Sequence, residues 1–542
     1  MEDNFLIIGF ILFFVIASIV ITWWTSRSTS SASDFYVAGK GVPWVQVGIA
    51  MVGSYLSAAS FLGCAGDIGV FGIDSIWISV GFFGGYMSLL FLIAGPLRNV
   101  GTFTVAGALH RRYPDEKVKL AITVCTIVVS TFYLVPQMIG AGALFVMLLN
   151  WDFLWVTTGI GALISIYVVF GGMKSTLYNQ VLQALFLWIT MVLLVVLAYF
   201  TVGDGFLDAL NAAAKAVPPL LAGKNPAVVD ALRGMTNADS MRAIETARQL
   251  MPDAPSAMTV GVKTGGSLAM ISMVVALIFG TAGLPHILVM FFTVPSARAA
   301  KKSVALCISA LAVFYLAAII LGFMLFPAIY PKLVSWISQG PTGVGLAKNM
   351  AVLEISNLVG GRWLVAIAAA GAVAAVLSTA AGLMITVASA FSNDVYKVYI
   401  NQNATDKQGI LIARVTTVVM SVIAVALAAV LRDENVAWLV TLGFGIAASA
   451  IFPAMLGTLW WRRATRQGVI ASVWVGLSIA MVFIILLLSG VKSFLGLPTS
   501  GGPGIYGVAA AFLTLWLVSI NTRDTGKDAD GFLALAHAPD KD

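Results

Sequence analysis

Charge is what this sequence has least of. Asp, Glu, Lys and Arg make up 10% of its 542 residues, against roughly 25% in soluble domains, which excludes water as the medium for most of its surface. Cysteine is scarce as well. Cys64, Cys125 and Cys307 all fall in apolar stretches, at spacings that match neither a zinc knuckle nor a disulfide framework. A metal-ligand cluster, a nucleophile elbow and a phosphate-cradling loop are all missing, which argues against an enzyme and against a cofactor. The filter-like repeats of a channel are missing too.

Apolar residues fill the space. They account for 60% of the chain, with a mean hydropathy of +0.96, and they fall into thirteen runs long enough to cross a hydrocarbon core of about 30 Å. Six precede a long polar segment: Phe5–Trp24, Pro43–Phe71, Ile76–Ala94, Leu120–Leu149, Phe153–Phe170 and Tyr178–Phe200. Seven follow it: Ser267–Val294, Val304–Phe326, Trp363–Phe391, Ile410–Leu431, Val436–Trp460, Val469–Leu488 and Gly502–Ile520. The pattern predicts an all-α integral membrane protein with one transmembrane domain over 1–520, an ordered cap over 201–266 and a charged tail over 521–542 without fixed structure. The first run follows acidic residues and lacks a small-residue cleavage site, so it reads as a retained helix.

The net charge of +7 does not point to nucleic acid, because the basic residues sit in short links between apolar runs rather than along one face. Counted by link, sixteen Lys and Arg fall on one side of the thirteen-span path and five on the other, the long segment being exempt. That bias predicts an outside N-terminus and a cytoplasmic C-terminus.

Two runs are interrupted. The second reads AMVGSYLSAASFLGCAGDIG (Ala50–Gly69), dense in small and hydroxyl residues, and the seventh contains FGTAGLPH (Phe279–His286). Pro285 removes a backbone donor there. Irregular backbone at membrane depth is tolerated only inside protein or along a cavity, and paired interruptions point to a transport site. The two runs are five apart in order, an odd number, so a repeat of spans two to six in spans seven to eleven must be inverted. The repeats then cover about 43–200 and 267–460. Gly84 with Gly85, and Gly140 with Gly142, read instead as close helix packing.

Five segments carry a family resemblance: Ser31–Gly63, YLVPQMIGAGAL (Tyr133–Leu144), YVVFGGMKS (Tyr167–Ser175), GTAGLPHILVMFFTVPSARAAKKS (Gly280–Ser303) and AAVLSTAAGLM (Ala374–Met384). Together they resemble the sodium:solute symporter family, and within it the cation/acetate symporters. The resemblance implies a LeuT-like five-plus-five inverted repeat in a cell inner membrane, importing acetate or a related short monocarboxylate with a cation, most simply sodium. Import of proline, of a larger monocarboxylate, or with a proton are the alternatives. It also implies a sodium site made by the carbonyls of Gly53, Leu56 and Ala375 with the side-chain oxygens of Ser378 and Thr379.

Departures from the wider family matter. Gln180 stands where many members carry an acid, and Ala381 and Gly382 stand where members with a second sodium site carry hydroxyls. Only one sodium site is therefore expected. Leu277 and Thr281 replace aromatics of the sodium/proline members, implying a different solute. No Lys or Arg lies near either interruption, so a carboxylate must be held by amides and hydroxyls. Ser54, Tyr55, Ser57, Thr281 and above all Gln137 are the candidates, Gln137 because a lone amide in hydrocarbon needs a partner. His286 reads as structural, and Asp67 and Asp74 as residues of a solvated loop or vestibule.

Overall fold

The computed structural model describes residues 2–27, 31–202, 205–263, 266–432 and 436–540. Helices dominate, because a backbone in hydrocarbon must satisfy its own donors and acceptors. Eleven helices among the described residues are long and apolar enough to cross a bilayer. The thirteen predicted runs map onto these eleven because two helices each carry two runs. Ala59–Val100 holds the end of the second run and the third, and Phe153–Thr201 holds the fifth and sixth. Their turning points are Gly72 (φ 79°) and Gly172 (φ 58°). A side chain at Gly172 would meet both a left-handed backbone and the Phe35 carbonyl oxygen 2.8 Å away.

Burial separates centre from rim. In Pro341–Ile400 and Leu439–Trp460 the most apolar window is 89% buried, whereas in Phe5–Ser26 and Asp406–Val430 it is 28% buried. The first pair forms the core and the second faces outward with bare apolar side chains such as Phe13 and Val422.

The two interruptions adopt the same backbone. The helix Trp44–Tyr55 stops at Leu56, φ −69° and ψ 99°, and Ser267–Gly283 stops at Leu284, φ −69° and ψ 115°. Each break is preceded by a glycine pressed against another helix. A Cβ on Gly53 would lie 2.4 Å from the Gln180 carbonyl oxygen, and one on Gly280 would lie 2.4 Å from that of Phe444. Gln180 belongs to the sixth predicted span and Phe444 to the eleventh. Span two therefore packs on span six as span seven packs on span eleven, which is the contact pattern of the predicted repeats.

The bundle has two unlike ends. At one end the cap folds as short helices, Phe206–Lys215, Pro219–Ala222, Pro226–Ala231 and Ser240–Leu250, held by Tyr330 to the Val217 carbonyl and by Arg248 to the carbonyls of Lys215 and Ala254. At this end a helix also begins earlier than predicted, at Pro341 rather than Trp363, and bends at Gly361 (φ 61°).

The tail, expected without fixed structure, is ordered at the other end. It forms the helix Ala529–Ala536. Arg112, whose guanidinium is held below its ordinary pKa by burial, donates to the carbonyls of Thr458, Trp461, Arg462 and Thr525. Asn99 donates to Ala536 and Ala538. Asp540 accepts from the amides of Ala297 and Arg298 at 3.0 and 2.6 Å, capping the helix Ala297–Ile337. The tail's polarity reads as disorder in isolation. Here that polarity serves donors and acceptors left open at helix ends.

Candidate functional site

The break at Leu56 frees carbonyls that a continuous helix would occupy. The Gly53 carbonyl accepts from the Ser378 hydroxyl at 2.7 Å, and the same hydroxyl lies 3.0 Å from the Ala375 carbonyl oxygen. Thr379, wholly buried, has a hydroxyl with no partner. Gln180 donates to the Ser378 carbonyl at 3.0 Å, steadying that turn. Gly53, Ala375 and Ser378 thus meet at one point, Thr379 follows Ser378 on the same helix, and Leu56 is the residue at which the first helix breaks. Carbonyls and hydroxyls together make the hard oxygen set that suits sodium.

On the solute side, the Tyr55 hydroxyl lies 2.7 Å from that of Thr281 and joins the two broken helices. Gly85 makes room for this, since a Cβ there would lie 2.3 Å from the Thr281 Cβ. Tyr133 has Ser57 as a side-chain hydrogen-bond partner. Gln137 is fully buried. Its Nε2 reaches only the Tyr133 carbonyl at 3.4 Å, and its Oε1 has no partner. A Cβ on Gly140, one turn further along, would touch Ala58 at 3.4 Å, which sets the Gln137 helix against the first break.

Sequence reasoning missed the aromatic wall. Tyr55 meets Tyr86 with ring centroids 4.7 Å apart and Phe82 at 5.6 Å, while Phe444 contacts Tyr133 and Phe82 at 5.3 Å. Phe82, Tyr86 and Phe444 look like any other apolar membrane residue until the fold gathers them around Tyr55 and Tyr133. Gln183, with both amide atoms buried and unpartnered, was also missed.

Buried polar atoms lacking partners gather around the breaks: Ser54 Oγ, Gln137 Oε1, Gln180 Oε1 and Thr379 Oγ1. Such atoms are normally satisfied, and leaving one bare costs about 1–3 kcal/mol. A cluster of them can receive polar ligands.

Asp67 and Asp74 contradict the expectation of a solvated loop. Both are buried. Asp74 accepts from the amides of Gly261 and Lys263, and the Asp67 carboxylate meets Lys263 Nζ at 2.5 Å and Lys348 Nζ at 3.3 Å. Burial presses the Lys263 amine below its ordinary pKa, and Asp67 opposes that shift. The cap folds back over both acids, a contact invisible in the order of residues.

The family model described as the sodium:solute symporter family matches residues 35–476. An uncharacterised symporter, YwcA, of Bacillus subtilis (strain 168) is 34% identical over 534 residues, 97% of this chain and 96% of that protein. A monocarboxylic acid transporter of Corynebacterium glutamicum is 34% identical over 531 residues, 95% of this chain and 91% of its own length. Among solved structures, a substrate-bound, outward-open Na+-coupled sialic acid symporter superposes with a TM-score of 0.71 at 14% identity, over 97% of this chain and 99% of that one.

Proposed function

Since this chain belongs to the sodium:solute symporter family, and is accordingly a transporter rather than an enzyme, we propose that it imports a short monocarboxylate such as acetate together with sodium. The observation that carries the reading is the meeting of the Gly53 and Ala375 carbonyls with the Ser378 hydroxyl, beside the unpartnered Thr379 hydroxyl, at a helix break. Sodium bound there by Gly53, Leu56, Ala375, Ser378 and Thr379 would bridge the first broken helix to the helix Pro341–Ala390. Its occupancy would bias how those two elements sit.

The solute would lie against Tyr55, Ser54, Ser57, Thr281 and Gln137. Hydroxyl and amide donors there can face a carboxylate, and the ring faces suit a short alkyl end. The monocarboxylic acid relative of matching length supports that class of solute. The basic residues support an orientation with the cap outside and the tail end, which carries Arg98, Arg112, Arg462 and Arg466, in the cytoplasm of an inner membrane.

The test is uptake of labelled acetate into proteoliposomes under an inward sodium gradient, with choline as the control cation and unlabelled acetate, propionate, pyruvate, glycolate and proline as competitors. Sodium dependence with competition by short monocarboxylates supports the reading. Uptake indifferent to sodium, or displaced by proline alone, overturns it.

A further inference from the structure

A second polar location lies on the same helix as Ser378 and Thr379, toward the tail end. Asp394 is 1% exposed. Its Oδ1 accepts from the Thr104 hydroxyl at 3.1 Å and lies 3.8 Å from Lys119 Nζ. The Thr123 hydroxyl is a second side-chain partner of the carboxylate, and Glu116 lies near it. An ion pair this long is not a closed structural bridge. The carboxylate lines a small cavity with room for about one water molecule, whose wall includes Thr104, Thr126, Thr386 and Pro285 of the second break.

Helix geometry connects the cavity to the break. Thr386 and Asp394 follow Thr379 by seven and fifteen residues, which keeps all three on one face. At a rise of about 1.5 Å per residue the carboxylate stands roughly 22 Å from the Thr379 hydroxyl. Between them Gly382 lets three polar side chains close in on the helix. A Cβ there would lie 2.9 Å from Ser54 Oγ, 3.1 Å from Gln180 Nε2 and 3.7 Å from the His286 ring. Thr386 donates to the Gly382 carbonyl, which leaves its oxygen lone pairs free. Around Asp394 itself the helix widens into π-form over Phe391–Ile400, a winding found mostly at functional positions.

We infer that Asp394, with the hydroxyls of Thr104, Thr126 and Thr386, is a transient site for the sodium ion on its way from the break to the tail face of the bundle. The inference rests on the sodium-coupled reading above. A carboxylate and three hydroxyls form a hard oxygen set, and their single negative charge repels a carboxylate solute while drawing a cation. Lys119 is the counter-ion that holds Asp394 when sodium is elsewhere. An arriving ion displaces its amine, and the amine's return expels the ion.

Membrane vesicles loaded with graded internal sodium test this, with labelled acetate entry driven by external sodium as the readout. Weakening one charged ligand is worth about tenfold in binding. Asp394→Asn is therefore expected to raise the internal sodium concentration that halves uptake by about tenfold, while external half-saturation moves by less than about twofold. Lys119→Met keeps the carboxylate and removes its competitor, so internal sodium should inhibit at lower concentration. It remains informative even if Asp394→Asn does not accumulate. Unchanged internal inhibition in either folded variant, or equal shifts on both faces, overturns the site alone. An unaltered protein whose uptake ignores sodium on both faces overturns the sodium reading and this site with it.

Discussion

The Tyr55 and Thr281 hydroxyls, 226 positions apart in sequence, meet at 2.7 Å and form a direct polar link between the two broken helices. One helix opens each repeat, so this bond joins the two repeats beside their breaks. A solute carboxylate inserted between the two hydroxyls would replace a single hydrogen bond with two. Binding there would change the contact between the two broken helices.

Tyr55→Phe keeps the ring packed against Tyr86 and Phe82 but deletes the bond. The expected loss is about 1 kcal/mol, read as a roughly fivefold rise in the acetate concentration for half-maximal uptake, with protein abundance unchanged. Thr281→Val should behave alike, and the double variant should be worse than either single one, because the carboxylate then loses both hydroxyls.

Ser378→Ala removes the hydroxyl that faces the Gly53 and Ala375 carbonyls, and Thr379→Ala removes the unpartnered one. Each should raise the sodium concentration for half-maximal uptake by about tenfold or more, with far smaller effects on abundance. Sodium titration of both variants in proteoliposomes checks this. A flat response in both would remove the site from the account.

Gln137→Ala should weaken acetate binding while leaving sodium binding in the absence of acetate intact. Its bare Oε1 means that truncation loses no strong internal partner, so thermal stability of the detergent-solubilised protein should change little. Unaltered acetate affinity would make the side chain simple packing between helices.

One sodium ion moving with one carboxylate carries no net charge. Each net charge moved would feel about 2.3 kcal/mol per 100 mV, so an electroneutral cycle is easy to recognise. Acetate accumulation at a fixed sodium gradient should reach nearly the same level with or without a valinomycin potential. Marked stimulation by an inside-negative potential would count against the one-ion stoichiometry.

The Asp67 cluster predicts an asymmetry. Asp67→Asn leaves two buried amines facing each other without a carboxylate, and should cost about 3–5 kcal/mol, enough to deplete the protein from the membrane. Lys263→Met leaves a one-to-one pair with Lys348 and should be tolerated far better. Immunoblots of membrane fractions and melting of purified protein separate the two outcomes.

The run of apolar segments and the two interruptions could be read from the chain because lipid imposes length and because proline and glycine announce a break. Parity required any repeat of spans two to six in spans seven to eleven to be inverted, and the packing of Gly53 on Gln180 matches that of Gly280 on Phe444. What the order of residues conceals is every partnership made at a distance. Asp67 looked solvated because its lysines lie in the cap and in a helix far along the chain. The ring wall of Phe82, Tyr86 and Phe444 was hidden because an aromatic residue in a membrane span is unremarkable until another faces it. The tail misled for the same reason, its polar groups answering helix ends that only the folded bundle brings near.

The capping of Ala297 and Arg298 by Asp540 also sets an order of events during synthesis. The carboxylate stands 243 positions after the first amide it serves, so that helix enters the membrane with its leading amides bare and stays so while five further spans are made. Only when the chain has been extended past Asp540 can the tail close over Asn99, Arg112 and the Ala297 turn together. A ribosome stalled before that point would leave a bundle whose spans are all inserted yet whose tail face is open, and a protease working from that face would find the unfinished molecules first.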